Sequence, residues 1–296
     1  MFQGAITALV TPFHNGRVDE DAYRRLIDWQ IRQGIGGIVP CGTTGESATL
    51  SHEEHARVID IAVDEAGGRV PVIAGTGSNN TAEAIRLTRH AKEAGADGAL
   101  LITPYYNKPS QEGLYQHYKK VAEESKFPLV LYNVPGRTGV NLLPATVARL
   151  AEIPDVVAIK EATGDMKQVS EVVECCGDRI TVLSGDDFTI LPLLTLGGRG
   201  VISVVSNILP ADTGAMVRAH EAGDMDTARR LHFKLMPLTR ALFLETNPVP
   251  VKTALSMLGR IPLEVRLPLV PLQDETRRRL REALVECGTL DPEAAR

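Results

Sequence analysis

Eight apolar runs of strand length recur along this chain, each followed by a stretch with helical periodicity, and few architectures accept that alternation. The runs cover residues 5–10, 37–41, 70–74, 98–103, 129–132, 156–160, 180–183 and 200–204. Near-continuous apolar strands separated by helices predict a parallel sheet covered by helices. The spacers carry helix punctuation. Ser51-His52-Glu53-Glu54 reads as a capping box that opens a helix through about Glu65. Thr81 and Ser110 are expected to cap the next two helices, and Pro144 suits the first position of a short fifth one. Gly34, Gly67, Gly68, Gly95, Gly177, Gly197 and Gly198 stand where helices should stop before the next strand.

Eight such units in about 220 residues fit a closed (β/α)8 TIM barrel. An open doubly wound sheet is the rival. It would gather functional groups at one switch point. Here polar residues follow most of the strands: Thr11, Thr43, Thr76, Tyr106, Tyr132, Lys160, Gly185-Asp186 and Ser203. A barrel brings all of those ends to one mouth. Strand signals cease at about Ala211. Helical patterns near 224–243, 249–258 and 274–286 then predict a C-terminal helical domain, with a proline-rich joint at Asn247-Pro248-Val249-Pro250. The expected division is a catalytic barrel over 1–223 and a helical domain over 224–296.

Composition narrows the partners. With 44% hydrophobic and 23% charged residues, the 296-residue chain can bury a sizeable core. Its net charge is −5 and no basic stripe appears, which argues against nucleic acid. No apolar run approaches a membrane span, and the first residues lack the basic start of a signal peptide. Cys41, Cys175, Cys176 and Cys287 form neither a disulfide framework nor a spaced metal quartet. A reducing cytoplasm is the expected compartment.

The chemistry centres on Lys160. It ends the apolar run Val156-Val157-Ala158-Ile159, at the lip of a hydrophobic wall. Desolvation there favours the neutral amine, a nucleophile able to condense with a ketone. After the second strand, Gly42-Thr43-Thr44-Gly45-Glu46-Ser47 offers hydroxyls and main-chain N–H groups as a small carboxylate cradle. No Gly-Lys-Ser/Thr follows, so it is not a P-loop. Tyr106 follows the fourth strand and Tyr132 ends the fifth, where a phenol can relay protons. Arg137, in Pro135-Gly136-Arg137-Thr138, can bind a carboxylate through two parallel bonds.

Two motifs, Gly37-Ile-Val-Pro-Cys-Gly-Thr-Thr-Gly-Glu-Ser47 and Tyr132-Asn-Val-Pro-Gly-Arg-Thr138 with Ile159-Lys160-Glu161-Ala162, carry a family resemblance. Ile73-Ala-Gly-Thr-Gly77 and Thr103-Pro-Tyr-Tyr-Asn-Lys-Pro109 extend it. Over nearly its whole length the chain resembles the dihydrodipicolinate synthases, in the pyruvate-dependent class I aldolase group that includes N-acetylneuraminate lyase. The resemblance implies a lyase that condenses pyruvate with L-aspartate 4-semialdehyde, the first committed step of diaminopimelate and lysine biosynthesis. Lys160 would form the imine and Tyr132 act as general acid and base. Thr43 and Tyr106 would complete a proton relay, Tyr106 reaching in from a neighbouring subunit. Thr44 would hold the pyruvate carboxylate, Arg137 that of the aldehyde, and Gly185 and Ile202 would line the site. No cofactor or metal is implied, because the imine is the electron sink. An effector site for L-lysine would comprise Ser47, Ala48, His52, His55, Asn79, Glu83 and Tyr105. His52 and His55 are expected at the surface. The expected assembly is a homotetramer built as a dimer of dimers, or a dimer. Met166 and Lys167 lie in the loop after the catalytic lysine, where a lysine meeting its own copy would favour the dimer.

Three rivals remain at this stage. A sialic-acid or keto-sugar-acid lyase would share the lysine, the tyrosine and the Gly-Thr-Thr-Gly turn, but would have less use for Arg137. A phosphate-binding barrel is disfavoured, because Gly197-Gly198-Arg199-Gly200 precedes the eighth strand instead of following it. A non-catalytic binding barrel has no need of the lysine, both tyrosines and both threonines together.

Overall fold

The computed structural model describes residues 2–291. Eight parallel strands form its centre: β1 Gly4–Ala8, β2 Gly37–Val39, β3 Ile73–Gly75, β4 Gly98–Ile102, β5 Leu129–Asn133, β6 Val156–Glu161, β7 Thr181–Ser184 and β8 Gly200–Ser203. They are hydrogen-bonded in the order β2-β1-β8-β7-β6-β5-β4-β3. A parallel bridge between Ile38 and Val72 joins the two ends of that row and closes the barrel. One helix follows each strand: α1 Glu20–Arg32, α2 His52–Ala66, α3 Thr81–Glu93, α4 Gln111–Ser125, α5 Pro144–Leu150, α6 Met166–Cys176, α7 Ile190–Thr195 and α8 Pro210–Glu221. Among the described residues three more helices follow: α9 Met225–Leu242, α10 Val249–Met257 and α11 Asp274–Glu286. Among the described residues no helix is long and apolar enough to cross a membrane.

The strand alternation sorts the core into two layers. Ile6, Val39, Ile73, Leu100, Val130, Ala158, Leu183 and Ile202 fill the barrel, with Phe2 at its base. Their strand neighbours Leu129, Leu131, Ile159 and Val182 face outward into the packing with the helices. A period of two therefore sends Ala158 and Lys160 inward together and Ile159 and Glu161 outward.

The helix signals mostly hold, with one displacement. Ser51 forms the full capping box with Glu54, and Ser110 caps α4. The third helix is capped by Asn80 and not by Thr81. Asn80 is extended, at φ −115°, and its side chain accepts from the Ala82 N–H. Thr81 is instead the first helical residue, and its hydroxyl is engaged by His117 Nδ1 at 2.9 Å. Several small elements escaped the periodicity, among them a hairpin pairing Phe13–His14 with Arg17–Val18 and a one-turn helix over Pro135–Thr138.

His117 itself is buried, with no partner at Nε2, and burial lowers its pKa to about 4. In the unfolded chain an imidazole titrates near about 6.5. Between those values the unfolded state binds the extra proton, so stability rises with pH there. This contribution is complete above about pH 6.5 and is lost as the pH falls toward 4. In urea unfolding across that window, His117→Gln should flatten the dependence of stability on pH, by up to about 1.4 kcal/mol per pH unit. An unchanged slope would show that His117 does not control it.

Candidate active site

The inward turn of β6 delivers Lys160 to the barrel mouth. The side chain is 6% exposed, and the sheet register sets it beside Tyr132 of β5. Its Nζ lies 4.1 Å from the centroid of the Tyr132 ring, whose π-face favours a cation. The next strand must leave room for the lysine stem. At Gly185, just after β7, a Cβ would come within 2.9 Å of Lys160 Cγ, 3.0 Å of Lys160 Cε and 2.7 Å of Ala162 Cβ. Only glycine fits without moving the lysine. Ile202 of β8 is fully buried in the same inner layer as Tyr132.

The Gly42–Ser47 turn is tightly constrained. Cys41, just before it, and Glu46, near its end, are left-handed, with φ of 55° and 54°. The left-handed conformation costs each non-glycine residue about 1–2 kcal/mol. Gly75, at the end of β3, supports the turn from below: a Cβ there would sit 2.1 Å from the Cys41 carbonyl oxygen. The Glu46 carboxylate accepts from Lys252 Nζ at 2.5 Å and from the Arg266 main-chain N–H at 3.1 Å. Lys252 has no exposed surface. Burial lowers its pKa, and the Glu46 carboxylate opposes that shift. Thr44 is buried, and its Oγ1 accepts from Asn247 Nδ2 at 3.0 Å, while Thr43 is half-buried.

Arg137 stands exposed on the one-turn helix, its Nη2 donating to the Asn247 carbonyl at 3.3 Å. Thr43, Tyr132, Arg137 and Asn247 share the wall of one cavity of about 510 Å³. Ser47, Ala48, His52, His55, Glu83 and Tyr105 line that same cavity. Lys160, Thr44, Gly185 and Ile202 are not part of that wall. Tyr106 lies apart, 89% exposed and left-handed at φ 71°. Asn79 also lies outside the cavity, its carbonyl accepting from Asn107 Nδ2 at 2.9 Å.

His52 is exposed as expected, with Nε2 3.4 Å from Glu83. His55 is not a surface residue. One turn into α2 it points inward, 7% exposed, and burial lowers its pKa to about 4. The helix face that carries His55 also carries Val58, Ile59 and Ala62, so the periodicity could have placed it inside. Glu83 accepts from Ser78 Oγ at 2.5 Å.

Four functional candidates gave weaker signals. Glu161, outward beside Lys160, accepts from Asn133 Nδ2 at 3.1 Å and from the Thr163 N–H at 2.8 Å. Burial raises its pKa against those bonds. Asp187 is buried, its pKa likewise raised by burial, and holds the Val204 and Val205 N–H groups after β8. Lys252 and Asn247 join the turn across more than 200 residues, a distance at which sequence pattern is silent. Among the described residues no group of three His, Cys, Asp or Glu side chains is arranged to hold a metal ion. The arrangement suits a small carbonyl compound with carboxylates: an amine in an apolar wall, a phenol beside it, a hydroxyl turn and a guanidinium.

The profile of the dihydrodipicolinate synthetase family matches residues 1–287. A 4-hydroxy-tetrahydrodipicolinate synthase from Nitratidesulfovibrio vulgaris is 66% identical over 290 residues, covering 98% of this chain and 99% of the relative. A chloride-inhibited dihydrodipicolinate synthase from Acinetobacter baumannii, solved with pyruvate, is 49% identical at a TM-score of 0.96, covering 98% of this chain and 100% of that one. A synthase from Cyanidioschyzon merolae, solved with lysine bound, is 40% identical at a TM-score of 0.95, covering 98% of this chain and 99% of that one.

The buried Glu46–Lys252 pair predicts an asymmetric response to mutation. Lys252→Met leaves an unpaired carboxylate in the interior and should cost about 3–5 kcal/mol. Adding Glu46→Gln removes that charge and should restore a large part of the loss. Denaturant unfolding of both variants is the measurement. Equal stabilities for single and double variants would deny the coupling.

Proposed function

Because the chain belongs to the dihydrodipicolinate synthetase family, we propose that its reaction is carried by Lys160 as a Schiff-base nucleophile. The activity is that of a 4-hydroxy-tetrahydrodipicolinate synthase, a lyase that opens diaminopimelate and lysine biosynthesis. Its substrates in this reading are pyruvate and L-aspartate 4-semialdehyde. The observation that carries the assignment is a buried lysine amine held 4.1 Å from the Tyr132 ring, with glycine at 185 to admit its stem.

The Lys160 amine attacks the ketone carbon of pyruvate, and water leaves as the imine forms. Tyr132 supplies and removes the protons, with Thr43 and Tyr106 passing them to solvent. The imine withdraws electrons and acidifies the pyruvate methyl, so the resulting enamine attacks the aldehyde carbon. The amine of the second substrate then displaces Lys160, closing the ring and freeing the enzyme. Thr44 holds the pyruvate carboxylate on the hydroxyl turn. Arg137 takes the carboxylate of the aldehyde, and Gly185 and Ile202 shape the floor.

Tyr106 fits this scheme as a residue lent to a neighbouring subunit, since 89% of it is exposed in the single chain. A dimer is then the smallest complete unit, and a tetramer would pair two of them. Ser47, Ala48, His52, His55, Asn79, Glu83 and Tyr105 form the proposed L-lysine site, with Glu83 taking the α-ammonium and Asn79 and Tyr105 the carboxylate.

Borohydride reduction in the presence of pyruvate should leave one reduced pyruvate on the peptide containing Lys160. Gly185→Ala should lower the trapping rate about tenfold or more, because overpacking of about 1–3 kcal/mol falls on the lysine stem. An adduct on another residue would sink the assignment.

L-lysine at millimolar concentration should slow turnover of the native enzyme, and Glu83→Ala should relieve that inhibition. Equal inhibition of the two proteins would remove the effector from this cluster.

A further inference from the structure

The residue that ties Arg137 to Thr44 has one polar atom left over. Asn247 lies between α9 and α10 and is 5% exposed. Its Nδ2 donates to Thr44 Oγ1 at 3.0 Å, and its main-chain carbonyl accepts from Arg137 Nη2 at 3.3 Å. Its Oδ1 is buried without any hydrogen-bond partner. A buried acceptor left unpaired is costly, and such atoms are uncommon enough to need a reason. Asn247 also forms part of the wall of the cavity that Tyr132 and Arg137 share.

We propose that Asn247 is a specificity-determining residue, whose Oδ1 accepts a hydrogen bond from the α-ammonium of the aldehyde substrate. The inference rests on the reaction assigned above. An amide oxygen carries no proton and can only accept, so it selects a donor. The second substrate brings an ammonium with three donors, on the carbon that also bears its carboxylate. Arg137 is the residue assigned to that carboxylate, and its guanidinium already touches the main chain of Asn247. The two groups of an α-amino acid would thus be read by neighbouring atoms of one clamp: guanidinium for the carboxylate, amide oxygen for the ammonium. Asn247 borders the cavity, so a donor that enters there approaches its amide. The opposite end of the amide stays on Thr44. Because Nδ2 donates to Thr44 Oγ1, the threonine proton is free to point at the pyruvate carboxylate. Asn247 would therefore position one substrate and select the other.

The test compares L-aspartate 4-semialdehyde with succinate semialdehyde, the same aldehyde without its amino group, as partner for pyruvate in the native enzyme, Asn247→Leu and Asn247→Asp. In Asn247→Leu the preference for the amino substrate should fall about tenfold or more, the cost of one hydrogen bond to a charged group. It is read in a single turnover as the ratio of the two second-order rate constants for consumption of the pyruvate-loaded enzyme, since succinate semialdehyde has no amine with which to displace Lys160. In Asn247→Asp the acceptor survives, so that ratio should stay at or above the native value, while the pyruvate KM rises because the carboxylate competes for the Thr44 proton. Equal fold losses for both aldehydes in Asn247→Leu would overturn the proposal and leave Asn247 a purely structural residue. Should Asn247→Leu not fold, Asn247→Ala, which also removes the acceptor, decides: a ratio lowered about tenfold upholds the ammonium contact and an unchanged ratio overturns it. Failure of the native enzyme to form a pyruvate imine would instead strike the reaction itself, so the two failures are told apart.

Discussion

A lysine with no exposed surface, Lys252, meets Glu46 at 2.5 Å and ties the hydroxyl turn at the barrel mouth to α10. The pair is not isolated. Lys252 Nζ and the Arg266 guanidinium both lie 4.1 Å from the centroid of the Phe13 ring. Arg266 in turn grips Glu54 through two bonds of 2.6 Å, at the first turn of α2. Burying charges is expensive, and such a pair seldom adds net stability over an apolar substitute. What it supplies here is direction. Glu46 is held in a left-handed backbone, and that strain persists only because both carboxylate oxygens are bound. Without those anchors the turn could relax, and Thr43 and Thr44 would move with it.

The C-terminal helices are therefore part of the site. Helix α10 starts at Val249, two residues after Asn247, and Lys252 follows within its first turn. Two residues at one helix end thus grasp two residues of the hydroxyl turn, Asn247 at Thr44 and Lys252 at Glu46. The same Asn247 carbonyl meets Arg137 from a third part of the chain. Thr44 and Arg137 are thus both tied to the residue just before this helix.

Period and punctuation in the sequence were enough for the strands, because each strand had to be apolar on both faces to sit between barrel core and helices. The same period of two gives the inward direction of Lys160 and its place beside Tyr132. Local chemistry sufficed for the capping box at Ser51 and the cap at Ser110. It was insufficient at Thr81 and Asn80, two adjacent residues that can both cap, where a tertiary bond to His117 engaged the threonine. The one-turn helix bearing Arg137 is too short to show a period. Asn247, Lys252 and Arg266 find their partners more than 200 residues away, and each looks like an ordinary surface residue until the chain folds.

One cavity is lined by Tyr132 and Arg137, by His52 and Glu83, and by Gly42, Thr43, Glu46 and Ser47 of the hydroxyl turn. The turn continues directly into Ser47–Thr49 and then into the Ser51 cap of α2, so few bonds separate Thr44 from His52. Cys41 Sγ, at the start of the turn, also reaches the His55 carbonyl at 3.5 Å. A ligand seated at His52 and Glu83 would share its cavity with residues of the turn. The turn is strained at both ends and tethered to α10, so it has little freedom to absorb a displacement locally. Any displacement would pass to Thr44 and, through Asn247, to Arg137. Linkage makes the effect mutual: whatever the outer ligand does to carboxylate binding at Thr44, a carboxylate bound there must do to the outer ligand. Such coupling would require no long pathway, since the shared element is a single turn of six residues from Gly42 to Ser47.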